Sequence, residues 1–268
     1  METSPDPWIS ALRHSHDRLQ TVAGPLGADQ LKQRSYASEW SIAQVLSHLG
    51  SQAEIFGLFL DAGLAGQDPP GREQFPVIWD VWNAKDPQAQ ATDSLRADGA
   101  TLQRFESLDA DQRARLRLKA FRMDLDTAGL ARMRLSEHAV HTWDVAVALD
   151  PSATLAPDAV ALLVDTLGQL AARAAKPDGQ QRRLRVSTTD PERHFILETG
   201  EAVTLTELTE LTESDAEEGR PELRLPELRL PAEAFVRLVY GRLDPDNTPP
   251  VEADGVNLDE LRQLFPGY

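Results

Sequence analysis

Cysteine is absent from the 268 residues of this chain. The sequence therefore has no disulfide framework, no iron–sulfur cluster, no cysteine-ligated zinc finger and no cysteine nucleophile. Any chemistry that depends on a thiolate would need a thiol brought from outside the chain.

Positive charge is scarce as well. The chain has 27 Lys and Arg against 43 Asp and Glu, a net charge of −16, and only four of its cations are lysines. Nucleic-acid binding needs clustered cations that displace counterions from phosphates, so the composition disfavours it. Half of the net charge lies in residues 198–233, where eleven acidic residues stand against three arginines. We interpret this stretch as a solvated sheet face and loop.

Long apolar runs are also missing. No stretch approaches the roughly 18–20 apolar residues of a membrane span, and the opening METSPDPWIS lacks the charged and apolar regions of a signal peptide. We therefore expect a cytoplasmic protein that does not bind a membrane. Together with the charge balance, this leaves no expected nucleic-acid partner, and we expect a monomer or a homodimer.

Apolar residues at helical spacing predict five helices in the first two thirds of the chain. They cover residues 8–19, 42–60, 87–108, 128–149 and 157–174. The clearest start is a capping box formed by Ser41 and Gln44, with Trp40 and Val45 at the positions of a hydrophobic staple. Residues 66–76, rich in Pro and Gly, predict a loop. Helices with short connections favour an up-and-down bundle.

After residue 179 the pattern changes to the alternation typical of strands. Strands are predicted at 184–188, 194–198, 203–206 and 223–225. A helix follows, with Pro231 near its first turn and Gly241 at its end. The fold class is therefore α+β, with a helical domain at 1–179 and a domain of sheet and helix at 180–268.

The strongest chemical signal lies on the fourth predicted helix. Glu137 and His141 are one turn apart, so both side chains project from one face and can donate to one metal ion. With Arg134 and Asp144 they form a stripe of ionisable groups beside an apolar seam. Such a stripe is costly to bury unless it pairs or binds something. The alternative is an internal ladder, Arg134 to Glu137 and His141 to Asp144, that satisfies itself.

His48 lies on a largely apolar row of the second predicted helix, where a lone histidine can be a hydrogen-bonded core residue. If the second and fourth helices pack face to face, however, His48 closes a site with Glu137 and His141. Two imidazoles and one carboxylate suit Zn²⁺ or another divalent first-row metal and leave coordination positions open. Asp144 would then orient a ligand or act as a base near the site.

The remaining histidines are assigned to no site. His14 and His16 are expected on a solvated face of the first helix, and His138 is expected to point away from the stripe. His194 begins a strand and has no predicted partner. Fingerprints for a serine hydrolase, a P-loop or a dinucleotide fold are absent from the sequence.

Two segments resemble those that bind the metal in the mycothiol-dependent maleylpyruvate isomerase family, DinB-like helical bundles of actinobacteria. Residues 134–150, RLSEHAVHTWDVAVALD, resemble the family's metal-binding helix, and EWSI at 39–42 followed by His48 resembles its other metal segment. The similarity continues through WNAKD at 82–86, YGRL at 240–243 and LFPG at 264–267. It therefore extends over nearly the whole chain.

This resemblance implies a DinB-like four-helix bundle with a small C-terminal α/β domain. It also implies His48, Glu137 and His141 as ligands of a zinc ion, and mycothiol as the thiol. The family's Gly-Arg pair falls on Gly241 and Arg242, so Arg242 is the candidate cation for an anionic substrate group. The implied reaction is cis–trans isomerisation of a small electrophile, or S-transfer if the thiol adduct is retained. A non-catalytic, metal-stabilised bundle that binds a ligand or partner is the alternative.

Overall fold

The computed structural model describes residues 4–37, 39–208 and 225–267. They form two compact units, divided between Ala159 and Val160. The domain boundary at 179/180, placed where the sequence pattern changes from helices to strands, stays a prediction. Within the described residues, no helix combines the length and the apolar character needed to cross a membrane.

Four long helices build the N-terminal unit, as predicted. Its elements are α1 (Asp6–Ala23), α2 (Ala28–Leu31), α3 (Ile42–Ala65), α4 (Phe75–Asn83), α5 (Pro87–Ser107), α6 (Ala110–Arg115), β1 (Leu118–Ala120), β2 (Met123–Leu125) and α7 (Thr127–Leu149). Helix α7 packs on α1 and α3, and α5 packs on the same two helices. The second and fourth predicted helices, α3 and α7, are therefore neighbours.

Side-chain caps fix where α3, α5 and α7 begin. Ser41 Oγ accepts a bond from the Gln44 backbone N–H at 3.2 Å, and Gln44 Oε1 accepts one from the Ser41 N–H at 2.8 Å, so the predicted capping box is confirmed. The carboxylates of Asp86 and Asp126 cap α5 and α7 in the same manner. Gly66, with a φ of 65°, ends α3 in the left-handed conformation.

The centre of the bundle is apolar. Leu19 of α1, Leu46 and Leu49 of α3 and Val145 of α7 are fully buried in one cluster. Burial of these side chains supplies the main force that holds the helices together. It also keeps α3 and α7 in contact along the faces that carry the candidate ligands.

Several elements of this unit were not predicted, among them α4 and the hairpin of β1 and β2. Helix α4 begins at Phe75, inside the predicted loop, and Pro76 lies in its first turn, where proline is tolerated. The hairpin of β1 and β2 turns at Phe121 and Arg122, whose φ angles are 52° and 62°. Non-glycine residues rarely adopt positive φ, so this turn carries none of the usual sequence signals.

The predicted sheet with its following helix is present after the bundle. The elements are α8 (Pro157–Leu163), α9 (Leu167–Ala174), β3 (Arg182–Thr189), β4 (Arg193–Thr199), β5 (Thr204–Glu207), β6 (Glu227–Pro231), α10 (Ala232–Val239), β7 (Glu252–Asp254) and α11 (Leu258–Leu264). The sheet order is β5-β4-β3-β6-β7, with β3 antiparallel to β4 and parallel to β6. Helix α10 packs on β3 and β6. The α+β class is confirmed.

The fifth predicted helix, 157–174, is interrupted by a 3-10 turn at Val164–Thr166 and becomes α8 and α9. The predicted strand 223–225 lies mostly outside the described residues. The sequence ELRLP stands at 222–226 and again at 227–231, and the described strand β6 occupies the second copy.

Candidate metal centre

The packing of α3 on α7 brings the three predicted metal ligands together. Nε2 of His48 lies 3.4 Å from Oε2 of Glu137, and Nε2 of His141 lies 3.7 Å from the same oxygen. The two imidazole centroids are 4.7 Å apart. One donor atom from each residue lies within 4.8 Å of the other two. A single ion could therefore be held by all three side chains.

The three side chains are reachable from solvent. The His48, Glu137 and His141 side chains are 20%, 42% and 11% exposed. Three protein ligands do not fill the coordination shell of a divalent metal, and such open sites are typical of catalysis or substrate binding rather than of structure.

Electrostatics favour the protonation states that a metal requires. Burial lowers the pKa of His48, so its imidazole is neutral at neutral pH and keeps a lone pair. Burial alone would raise the pKa of Glu137, but its contact with His48 and the nearby His141 and Arg134 outweigh burial and lower that pKa to about 2. Glu137 is therefore ionised.

Asp144 sets the orientation of His141. Nδ1 of His141 lies 2.8 Å from Oδ2 of Asp144, a carboxylate with no solvent exposure. Because a carboxylate can only accept, Nδ1 carries the proton and Nε2 presents its lone pair towards Glu137 and His48. Asp144 therefore stands on the far side of the ring from the donor atoms.

Trp40 borders the donor group, a position not assigned to it from the sequence; there it is a residue of the hydrophobic staple and of the EWSI segment. Its ring centroid lies 5.2 Å from that of His48 and 6.3 Å from that of His141. The side chain is 37% exposed. Its carbonyl accepts bonds from the Ser35 backbone and hydroxyl, which hold the turn before α3. The partly exposed indole thus forms one wall of the centre.

A second group of polar side chains lies deeper in the bundle. We call Ser15, His16, Asp98, Arg134 and His138 the buried polar cluster; each is under 5% exposed. Asp98 Oδ2 accepts bonds from His16 Nδ1 at 2.6 Å and from His138 Nε2 at 2.8 Å. Its other oxygen accepts one from Arg134 Nη2 at 2.6 Å.

This cluster overturns the expectation for His16 and gives His138 partners that were not predicted. His16 is buried rather than solvated, and His138 points into the bundle interior. The predicted ladder exists only in part: His141 contacts Asp144, but Arg134 pairs with Asp98 instead of Glu137. His14, by contrast, is 62% exposed, as expected.

His194 also has partners, contrary to expectation. Its Nδ1 lies 3.1 Å from the hydroxyl oxygen of Ser187, and its Nε2 lies 3.4 Å from a carboxylate oxygen of Glu192. The antiparallel pairing of β3 with β4 places Ser187 opposite His194.

Three residues of the buried polar cluster, His16, Asp98 and His138, are types that can bind a metal, but both ring nitrogens of each histidine already have hydrogen-bond partners. His138 Nδ1 accepts from the Ser15 hydroxyl at 2.7 Å, and His16 Nε2 accepts from the Gln20 amide at 2.8 Å. Both imidazoles are thereby satisfied as neutral rings, each with one donated and one accepted bond. No lone pair of either ring is left for a metal, whereas the Nε2 atoms of His48 and His141 remain available.

Arg242 lies in the C-terminal unit, on a rigid turn. Gly241 has a φ of 69°, and a Cβ there would lie 2.2 Å from the Gly267 nitrogen. The turn therefore requires glycine. The Arg242 guanidinium donates to the Tyr240 carbonyl through Nη1 at 2.7 Å. The YGRL and LFPG segments of the predicted resemblance thus meet within this unit.

The fold and the donor set define the class of this protein: a helical bundle with a His, Glu and His donor group on neighbouring helices, joined to a small domain of sheet and helix. The sequence profile of the mycothiol maleylpyruvate isomerase N-terminal domain matches residues 12–146. The chain therefore belongs to the mycothiol maleylpyruvate isomerase family. All three donors and Asp144 lie within the matched residues.

Solved structures support the same fold. The crystal structure of the mycothiol-dependent maleylpyruvate isomerase has a TM-score of 0.66 with this chain at 11% identity, over 94% of this chain and 93% of that one. A histidine-to-alanine mutant of a mycothiol-dependent maleylpyruvate isomerase gives 0.63 at 10% identity, over 90% of each chain. A comparison with curated proteins finds no significant match.

Proposed function

We propose that this protein is a metal-dependent, thiol-using enzyme of the maleylpyruvate isomerase type that acts on a small electrophile. The observation that carries this proposal is the convergence of His48 Nε2, Glu137 Oε2 and His141 Nε2 within 4.8 Å at a partly exposed site. The donor set fits Zn²⁺, and we propose zinc as the metal and mycothiol as the thiol.

A bound divalent metal would supply a Lewis acid that keeps a thiol ionised at neutral pH. The chain contains no cysteine that could compete for such a site. His48 and His141 would hold the metal as neutral imidazoles, and Glu137 would hold it as a carboxylate. Asp144 would keep the His141 ring and its proton in the productive orientation.

The chemistry proposed for the thiol conserves electrons. Addition of the thiolate to a conjugated double bond forms a C–S bond and moves the π electrons onto the neighbouring carbonyl as an enolate. The former carbon–carbon double bond is now a single bond and can rotate. Loss of the thiolate after this rotation regenerates the double bond in the trans form. If a proton is added instead and the adduct is released, the enzyme is an S-transferase.

Arg242 is proposed to receive the anionic group of the substrate. The resemblance of the Gly241–Arg242 pair to that of the family supports this role, and the rigid turn keeps the backbone of Arg242 in place. Because the chain carries a net charge of −16, an anionic substrate needs such a local cation.

Metal analysis of the purified protein tests the first part of this proposal. We expect about one zinc per chain in the wild type and a large loss in His141→Ala. His14→Ala, which removes an exposed histidine outside the site, should retain full metal content. Wild-type protein without metal, or equal content in both variants, would reject the metal centre.

Incubation of the zinc-loaded protein with mycothiol and a panel of electrophiles that includes maleylpyruvate tests the reaction. Isomerised product without adduct indicates an isomerase, and a stable thioether indicates an S-transferase. A zinc-bound protein that gives neither product would favour the non-catalytic binding module.

A further inference from the structure

The buried polar cluster touches all four long helices of the bundle. Helix α1 supplies Ser15 and His16, α5 supplies Asp98, and α7 supplies Arg134 and His138. Helix α3 takes part through its backbone, because Arg134 Nη2 also donates to the Leu49 carbonyl at 3.2 Å. The proposed reaction gives this cluster no role.

The cluster bonds to both helices that carry proposed metal ligands, and on each helix it does so at the residue next to a ligand. Leu49 follows His48 in α3, and His138 follows Glu137 in α7. The same Nη2 atom of Arg134 that reaches Leu49 bonds to Asp98 at 2.6 Å. One guanidinium nitrogen thus links α7 to α3 and α5 at the level of the metal centre.

Stability alone does not account for this arrangement. The Arg134 and Asp98 side chains are 2% and 4% exposed, so both charges are removed from water. Apolar residues of similar volume often serve a core equally well or better than a buried ion pair. Nε and Nη1 of Arg134 add to the cost, since neither has a hydrogen-bond partner among the described residues. What a buried guanidinium adds is directional bonding in a fixed geometry.

We propose that the buried polar cluster positions the metal ligands, by holding α3 and α7 in the one register that brings His48 opposite Glu137 and His141. This inference rests on the proposed metal centre. Arg134 and Asp98 are its central positioning residues; neither belongs to the donor set itself.

Replacement of the ion pair by apolar residues tests the positioning role. In Arg134→Met/Asp98→Leu we expect zinc to bind about tenfold to a hundredfold more weakly, the usual effect of losing groups that orient metal ligands. The melting temperature of the metal-free variant should fall moderately, because buried His16 and His138 lose the carboxylate that accepts their ring N–H groups, so zinc affinity is compared at a temperature where the variant is folded. Arg134→Lys, which keeps the charge but not the planar fork, should also bind zinc more weakly.

A buried ion pair in the other unit provides the matched control. Arg237 and Glu233 form a pair whose side chains are 5% and 14% exposed. Arg237→Met/Glu233→Leu should leave the zinc dissociation constant and the visible spectrum of the cobalt-loaded protein unchanged. Both readouts should change in Arg134→Met/Asp98→Leu.

The outcomes distinguish the two proposals. A wild-type protein that binds no zinc removes the metal centre and the positioning role together. A wild-type protein that binds zinc, with a folded Arg134→Met/Asp98→Leu variant of equal affinity and an equal cobalt spectrum, overturns the positioning role alone.

A measurement on the unaltered protein covers the case in which the variants do not fold. Because coupling is reciprocal, zinc binding should stabilise the cluster. The ring N–H protons of His16 and His138, observed by NMR, should exchange more slowly in the zinc-loaded protein than in the metal-free one. Equal exchange in both states would overturn the proposal.

Discussion

Nδ1 of His141 lies 2.8 Å from Oδ2 of Asp144, so a fully buried carboxylate fixes which nitrogen of the ring carries the proton. Asp144→Asn keeps the size of the side chain but offers its amide as well as a carbonyl, so the tautomer is no longer fixed. We expect zinc affinity to fall about tenfold to a hundredfold, measured by chelator competition. Asp150→Asn, at the exposed end of the same helix, is the control; equal affinity in both variants would contradict this role.

Trp40 provides a spectroscopic test of the centre. Its ring lies 5.2 Å from the His48 ring, so a cobalt ion held by the donor set would quench its fluorescence. Trp40→Phe should lose most of the quenching that cobalt produces in the wild type. Trp79→Phe removes an indole of nearly equal exposure, 38% against 37%, outside the site and should retain it. Quenching that survives in Trp40→Phe would place the ion elsewhere.

The donor pair and its facing histidine could be predicted because each depends on local sequence. The capping box at Ser41 and Gln44 fixes the start of α3, and with it the direction in which His48 projects. Glu137 and His141 share a face through the helical period alone. The sequence does not determine whether α3 and α7 pack against each other, and the site could form only if they do. The packing of the bundle brings these two helices into contact.

The buried polar cluster could not be predicted because its bonds join residues far apart in the chain. His16 and Asp98 are 82 positions apart. A partial signal did exist, since His16 shares its helical face with the buried Leu12 and Leu19. That pattern indicates burial of His16, but it does not identify the carboxylate that makes burial tolerable.

The metal-free protein should lose stability as the pH falls below about 6.5. Burial lowers the pKa of His138, against the opposing effect of Asp98, from an unfolded value of about 6.5. Below about pH 6.5 the unfolded chain therefore binds more protons than the folded one. The free energy of unfolding decreases as the pH decreases.

Asp98 gives the same sign at lower pH. Burial would raise its pKa, but His138, Arg134 and His16 together hold it well below its usual value. Its contribution to stability is therefore complete above the unfolded pKa of about 3.9 and is lost as the pH falls further.

Melting temperatures measured from pH 8 to pH 5 in the presence of a chelator test the histidine part. A His48→Gln background is used, because burial lowers the pKa of that histidine too. In this background His138→Gln should flatten the decline, whereas His14→Gln, at an exposed position, should not. If His138→Gln leaves the slope of melting temperature against pH unchanged, the lowered pKa of His138 is contradicted.

Arg242→Ala should weaken substrate binding. Loss of a hydrogen-bonded cation for an anionic group should raise the KM for a carboxylate substrate on the order of tenfold to a hundredfold, with zinc content unchanged. Arg242→Lys should restore part of the loss, since the charge remains. Arg183→Ala, at a sheet position 57% exposed and paired with Glu198, is the control. Equal KM values in Arg242→Ala and the wild type would exclude this residue from substrate binding.

The close approach of Trp82 to α3 requires glycine at position 50. A Cβ on Gly50 would lie 2.2 Å from Cζ3 of Trp82, whose indole N–H donates to Glu54 at 2.9 Å. Because the ring is held in place, Gly50→Ala should force α4 away from α3 and destabilise the protein by about 1–3 kcal/mol. Chemical denaturation measures this change. Gly27→Ala, where an added Cβ meets no atom within 4 Å, should be nearly neutral. Equal unfolding midpoints for the two variants would mean that the indole does not pack against α3 in solution.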